Sequence, residues 1–264
     1  MKNNYFGVYF LSAVILFVFV HCYSFRQAER ETDSKKIRIL SYNIRNARGM
    51  DEVVDYDRIA DVIRRIDPDC VALQELDSAT ERSQGKVVLD ELAKRLDMYA
   101  SYGPSIAYQG GKYGIGVLSK AKPLRKEIVQ LPGSEEKRSL LVVELPGYVM
   151  CCTHWSLRQP DRLSSVGVIN EKIEKYTTKP VFLAGDLNAT PQSTEIEELF
   201  KTWEMLNDPC QPTFPSDNPR SCIDYIFFKK NPAFRIRVLQ TYVEKESSAS
   251  DHRPVWVDIQ VSKK

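Results

Sequence analysis

The chain predicts an α/β (α+β) fold in which two packed sheets are covered by helices. Three observations carry that prediction. Short apolar runs of strand length recur along most of the sequence. Segments with apolar residues at helical spacing interrupt them. Gly, Pro and Asp-Pro-Asp punctuation separates the two kinds.

Lys36 to Asn43 alternates and is rich in Ile and Leu, which predicts a strand. Tyr56 to Ile66 carries Ile59, Ala60, Val62, Ile63 and Ile66, a helical stripe that Asp67-Pro68-Asp69 ends. Cys70 to Gln74 reads as a short buried strand ending at Glu75. Val87 to Leu96 is helical, with Leu89, Leu92, Ala93 and Leu96 on one face. Strands follow at Tyr113 to Ser119, Leu124 to Leu131, Ser139 to Leu145 and Tyr148 to Thr153, and Gly147 marks a hairpin between the last two. Pro160 opens a helix to about Tyr176, with Leu163, Val166, Ile169, Ile173 and Tyr176 at helical spacing. Pro180 to Ala184 is a buried strand feeding Gly185-Asp186. Thr190-Pro191 predicts a helix start, continued by Glu195 to Phe200, because Pro is tolerated in a first turn. Ile223 to Phe228, Arg235 to Tyr242 and Val255 to Val261 complete the strands.

Ahead of this domain, Phe6 to Val20 is apolar except for Ser12 and is preceded by Lys2. A basic start followed by an apolar run of that length is the pattern of an export signal. It is short of the roughly 20 apolar residues a membrane span needs. The organisation read from this is a signal peptide or lipoprotein leader over 1–22, a charged tether over 23–35 and one folded domain over 36–264. Cys22 stands at lipoprotein spacing, but His21 and Phe19 match poorly what precedes such a cysteine, so lipidation stays open. The expectation is an exported monomer, periplasmic or at the cell surface, touching a membrane only through its leader or a lipid anchor.

The chain has 264 residues and a formal charge of +2. Loss of the leader with Lys2 leaves it near neutral. Nucleic-acid binders usually carry a basic excess or stripe, so the balance disfavours a long duplex as partner without excluding one. Cys70, Cys151 and Cys152 lie in apolar strand-like runs, where buried thiols are ordinary. Cys210 and Cys222 bracket a Pro-rich loop; a bridge and two free thiols are both open readings. No cysteine spacing resembles a zinc site.

Outside the leader there are two histidines, and each sits in a dense polar motif: Cys-Thr-His154-Trp and Ser-Asp-His252-Arg-Pro. Ser-Tyr-Asn43-Ile, Leu-Gln-Glu75, Gly-Asp186-Leu-Asn188 and Ile-Asp224-Tyr-Ile flank them in sequence. Each polar residue closes or opens an apolar strand-like run, which is how a sheet delivers carboxylates, amides and imidazoles to one rim. Oxygen-rich ligands with imidazole suit a hard cation such as Mg²⁺, with Mn²⁺ as the alternative. A phosphodiester repels nucleophiles, and a cation relieves that repulsion. A carboxylate such as Asp186 can take the proton of an attacking water. Imidazoles and an amide can donate to oxygens on which charge builds. Singly, each residue has a plain structural reading: Asn43 as a turn cap, Glu75 as a solvated acid, Asp186 and Asn188 as a turn, His154 as a core histidine. Asp224 between large apolar residues is costly unless paired.

Taken in order, these motifs with Tyr-Gly-Ile-Gly-Val-Leu-Ser (113–119) resemble the endonuclease/exonuclease/phosphatase superfamily, which includes DNase I, abasic-site endonucleases, inositol polyphosphate 5-phosphatases, neutral sphingomyelinases and deadenylases. The resemblance spans roughly residues 37 to 261. It implies a four-layer αββα sandwich, DNase I-like, with a pocket at the strand ends. By resemblance Glu75 is the principal metal ligand, with Asn43 and Asp251 beside it. Asp186 binds or deprotonates the attacking water, and Asn188 orients it. His154 and His252 donate to the phosphate, with Asp224 fixing the His252 ring. Three further residues are weighed as substrate contacts. Arg138 could meet a phosphate or pair with Glu135 or Glu136; Arg158 could line the pocket or stand as an exposed helix-start charge; Asn46 belongs to a polar loop that walls the site.

The reading is a divalent-metal-dependent phosphoesterase acting on a small or lipid/sugar-linked phosphoester. The competing readings are an extracytoplasmic nuclease and a catalytically silent binding module. The last would be expected to have lost Glu75, Asp186, Asn188 or His252, and all four are present.

Overall fold

The computed structural model describes residues 34–264 and sets twelve strands in two six-stranded sheets. The predicted leader, most of the tether and Cys22 lie outside the described residues. In chain order the elements are β1 (Lys35–Asn43), α1 (Tyr56–Ile66), β2 (Cys70–Ser78), α2 (Val88–Leu96), β3 (Tyr99–Tyr108), β4 (Gly111–Ser119), β5 (Arg125–Leu131) and β6 (Arg138–Glu144). There follow β7 (Val149–His154), α3 (Gln159–Ile173), β8 (Val181–Asp186), α4 (Thr194–Thr202), β9 (Trp203–Met205), β10 (Asp224–Lys229), β11 (Phe234–Val243) and β12 (Val255–Lys263). The first sheet runs β11-β12-β1-β2-β4-β3 and the second β5-β6-β7-β8-β10-β9. Each has one parallel pair at its centre, β1 with β2 and β7 with β8, in an otherwise antiparallel sheet.

Four layers follow from how apolar residues alternate. Ile37 and Ile39 of β1 and Ala72 of β2 face Met150 and Cys152 of β7, Phe182 and Ala184 of β8 and Ile226 of β10, all buried between the sheets. The opposite parity of β1 and β2, Leu40, Tyr42, Val71 and Leu73, packs under Ile59 and Ile63 of α1 and Leu89 and Leu92 of α2. Val149, Cys151 and Leu183 of the second sheet pack under Val166 and Ile169 of α3 and Ile196 and Leu199 of α4. The architecture is therefore the predicted αββα sandwich. Helix α1 starts where Asp55 accepts the Arg58 backbone N–H at 3.0 Å, and stops at Asp67 in the left-handed region.

The structure differs from the sequence expectation at three places. Strand β2 continues past Glu75 to Ser78, across a break in register between Leu73 and Leu76. Strands β3 and β9 were not expected. Thr190 and Pro191 form a turn, and α4 begins only at Thr194. Of the two open readings for Cys210 and Cys222, the structure has two free thiols, the first exposed and the second buried.

Gly185 marks the tightest approach between β7 and β8. A Cβ there would lie 2.0 Å from the Thr153 carbonyl oxygen. Gly185→Ala is therefore expected to destabilise the domain by about 1–3 kcal/mol, the usual cost of overpacking. The urea midpoint should fall with an unchanged slope; an unaltered midpoint would show that the two strands can part cheaply here.

Candidate active site

Alternation explains why the polar residues converge. Asn43 has the parity of Ile37 and Ile39, His154 that of Met150 and Cys152, Asp186 that of Phe182 and Ala184, and Asp224 that of Ile226 and Phe228. Each is the continuation of an inter-sheet apolar row, so all four meet where that core layer reaches the strand ends. Glu75 has the wrong parity for this. A regular strand would send it toward the helices with Leu73. The register break at this point, with Glu75 at φ 62°, turns it back. An irregularity of this kind re-aims a side chain.

Asn43 ties the two sheets together. Its Nδ2 donates to Glu75 Oε1 at 3.0 Å and to Asp186 Oδ2 at 3.1 Å. Its Oδ1 accepts the Arg45 backbone N–H at 3.1 Å. In this arrangement the Asn43 amide bridges two carboxylates through its Nδ2. Ser250 Oγ donates to the Asn43 carbonyl at 2.7 Å, fixing the segment that carries Asp251 and His252.

Asp186 is buried between the two imidazoles, with His154 Nε2 at 3.4 Å and His252 Nε2 at 3.6 Å from its Oδ2. Its Oδ1 accepts the Asn188 backbone N–H at 2.9 Å. Asn188 takes the left-handed conformation, φ 48°, and its Nδ2 donates to the Trp155 carbonyl at 3.0 Å. Behind His252, Nδ1 lies 2.9 Å from Asp224 Oδ2, and Thr213 Oγ1 donates to the same oxygen at 2.6 Å. The Phe214 ring lies 4.7 Å from the His252 ring, centroid to centroid.

The two histidines differ electrically. Burial, then the charges of Arg138 and His252, hold His154 well below the usual imidazole range, so it is neutral. Arg138 donates to His154 Nδ1 at 3.2 Å, which leaves the ring proton on Nε2, facing Asp186. For His252, burial favours the neutral form, but Asp224 and Asp186 outweigh it and hold the ring as imidazolium. The Asp186 carboxyl is raised by burial, partly offset by His252 and further raised by Asp224. Glu75 is half-buried, and its carboxyl is raised, first by burial; Asn43 opposes this and Asp251 adds to it.

Arg138 is buried behind His154 and pairs with Glu136 at 3.0 Å. Arg158 lies outside the cluster: exposed at the start of α3, it pairs with Glu135 at 3.2 Å. Asp251 is half-exposed and lies 3.9 Å from Arg45 Nε. Asn46 is buried, in a turn where Arg45, Asn46 and Ala47 all take positive φ of 45°, 55° and 58°. Left-handed conformations cost non-glycine residues about 1–3 kcal/mol each and collect at functional sites.

Asp186, Asp224 and His252 offer ligand atoms within 4.8 Å of one another. Within the trio, only Asp224 and His252 are at hydrogen-bond length; Asp186 stands 3.6 Å from the other ring nitrogen. Glu75 and Asp251 are mutually repelling carboxylates, and among the described residues Glu75 has no ion-pair partner.

Sequence reasoning missed Thr213, Phe214, Ser250 and the arginines near Glu75. Ser250 lay inside a motif that drew attention for its acid and histidine. Thr213 sits in a loop with no periodicity to read.

A sandwich rim with a carboxylate between two imidazoles, facing a second acid, defines a hydrolase of phosphoester bonds. Residues 40–252 match the Endonuclease/Exonuclease/phosphatase family model, and the chain belongs to that family. Among solved structures it is similar to an endonuclease/exonuclease/phosphatase from Beutenbergia cavernae at 25% identity and a TM-score of 0.74, over 86% of this chain and 72% of the other. A mannosyl-6-phosphatase of Bacteroides thetaiotaomicron shares 20% identity at a TM-score of 0.63, over 84% and 99%. TDP2 of D. rerio, complexed with a single-strand DNA product, shares 20% identity at 0.67, over 85% and 99%. No curated protein matches the chain by sequence.

Proposed function

We propose that this protein is an exported, Mg²⁺-dependent hydrolase of a small or lipid/sugar-linked phosphoester. The observation that carries the chemistry is the Asp186 carboxylate, held between two imidazole N–H groups and tied through Asn43 to Glu75. Glu75 and Asp251 would hold the cation, an oxygen-donor pair suited to Mg²⁺. When bound, it neutralises phosphate charge and stabilises the leaving oxygen. Asp186 takes the proton of the attacking water. Its Oδ1 is fixed by the Asn188 N–H, so the acid is oriented before substrate arrives. The His252 imidazolium and neutral His154 then donate through Nε2 to the phosphoryl oxygens as charge grows there. Asp224 holds the His252 ring in place.

A near-neutral chain supports a small substrate. The likeness to TDP2 in complex with DNA keeps a nuclease as the second reading. Initial rates should be compared on bis-nitrophenyl phosphate, mannose 6-phosphate, inositol phosphates, sphingomyelin and single-stranded DNA, with Mg²⁺, Mn²⁺ and EDTA. The expected result is turnover of a small or lipid-linked ester that EDTA abolishes. Preference for DNA by tenfold or more hands the site to the nuclease reading. No turnover of any ester makes the protein a binding module. Export is checked separately by sequencing the mature N-terminus and assaying lipid in membrane fractions.

A further inference from the structure

Beside Glu75 lies a cavity of about 270 Å³ lined by Arg45, Asn46, Arg48, Glu52, Glu75 and Arg82. The catalytic chemistry above uses only Glu75 of these. Three arginines therefore line one small space from two separate parts of the chain, the turn after β1 and the loop after β2.

Arg45 and Arg48 share the Glu52 carboxylate, at 2.9 and 3.4 Å, and Arg45 has Asp251 at 3.9 Å as a second partner. The Glu52 side chain is 58% exposed, so an arriving anion can displace it. Arg82 is held rigidly instead. Its Nε and Nη2 donate to the buried Asp77 carboxylate at 2.6 and 2.8 Å. Its guanidinium also lies 4.7 Å from the Tyr108 ring centroid and 5.7 Å from that of Tyr113. Asn46 adds a buried amide whose Nδ2 and Oδ1 have no hydrogen-bond partner among the described residues. Arg45 reaches toward Asp251 at 3.9 Å, so the cavity adjoins the carboxylates assigned to the cation.

We propose that this cavity is a second-anion subsite, and that the preferred substrate is a small phosphoester carrying another phosphate on the part held beside Glu75. The inference rests on the phosphoesterase reading. Planar guanidinium forks match phosphate oxygens in pairs, which a hydroxyl cannot exploit. The volume suits one phosphate with a short carbon arm. The left-handed turn is what presents Arg45 and Asn46 on the same side as Glu75.

The test is calorimetric binding of fructose 6-phosphate, fructose 1,6-bisphosphate, glycerate 2-phosphate and glycerate 2,3-bisphosphate to the full chain, in EDTA and in Mg²⁺. At least one bisphosphate should bind ten-fold or more tighter than its monophosphate. In Arg45→Gln/Arg48→Gln that gain should shrink below about three-fold, with an unchanged melting temperature. Arg235→Gln, an exposed charge loss on β11, should retain the gain. Equal affinity for each matched pair overturns the subsite, as does a gain that survives in the double variant. If oligothymidylate outbinds every bisphosphate and loses that advantage in the double variant, the subsite serves a nucleic-acid chain and the small-substrate assignment falls. If no ester is hydrolysed while the bisphosphate gain persists, the subsite stands and the catalytic reading fails.

Discussion

Asp186→Asn is expected to lower turnover by about 10²–10⁴-fold, the usual worth of a general base. The amide keeps the shape of the side chain and can still accept the Asn188 N–H that Asp186 Oδ1 accepts at 2.9 Å. It cannot take a proton from water. It also removes the negative charge that helps hold His252 as imidazolium, so the donor on the other side of the phosphate weakens too. Because Glu75 and Asp251 remain, metal affinity measured by calorimetry should stay within a few-fold. The loss should therefore persist at any Mg²⁺ concentration. Near-normal turnover in this variant would show that another group activates water.

Glu75→Gln should fail in the opposite way. The carboxylate carries the charge that attracts the cation, and its neighbour Asp251 is half-exposed and close to Arg45. Even outer partners of metal ligands are worth roughly 10–100-fold in affinity, so loss of an inner charge should weaken Mg²⁺ binding at least that much. Turnover should recover partly as Mg²⁺ is raised. Glutamine can still accept the Asn43 Nδ2 donor, so the tie between the sheets survives and the melting temperature should hold. Titrating both variants over Mg²⁺ on one diester separates the two roles. If Glu75→Gln binds Mg²⁺ as the unmutated protein does, the cation sits elsewhere, and the Asp186–Asp224–His252 trio becomes the first place to look.

Much of this was legible in the sequence because the determinants are local. The alternation of β1, the stripe of α1 and the buried runs of β7 and β8 announce their elements directly, and a polar residue at the end of such a run announces a rim. What stayed hidden depends on partners. Strand β3 contains Gly103 and Pro104 and lies at a sheet edge, half-buried or exposed along most of its length, so it has no apolar alternation to read. Strand β9 has three residues, too few for any period. The irregularity at Glu75 is a property of the pairing between β2 and β4 and leaves no mark in the sequence of either strand. For Arg158, which follows His154 in sequence, a pocket contact and an exposed helix-start charge were both open, and it stands as the latter, paired with Glu135. Nothing local in the sequence places Arg45, Arg48 and Arg82 together; the turn after β1 and the loop after β2 bring them to one space.

Glu75 and Asn43 belong to the first sheet; His154, Asp186 and Asp224 belong to the second. The gap across which the reaction must be matched is therefore set by a spacer of Ile39, Ala72, Val117, Cys152 and Ala184 just beneath the rim. That spacer acts as a gauge. Thinning or thickening it by a methyl group would change the bite of the two jaws while every polar side chain stayed in place, whereas the same change beneath the outer helices would alter only how tightly the jaws are braced. In a family that turns over many phosphoesters, the width of an apolar layer is thus a variable on which selection for rate can act without touching a single chemical group.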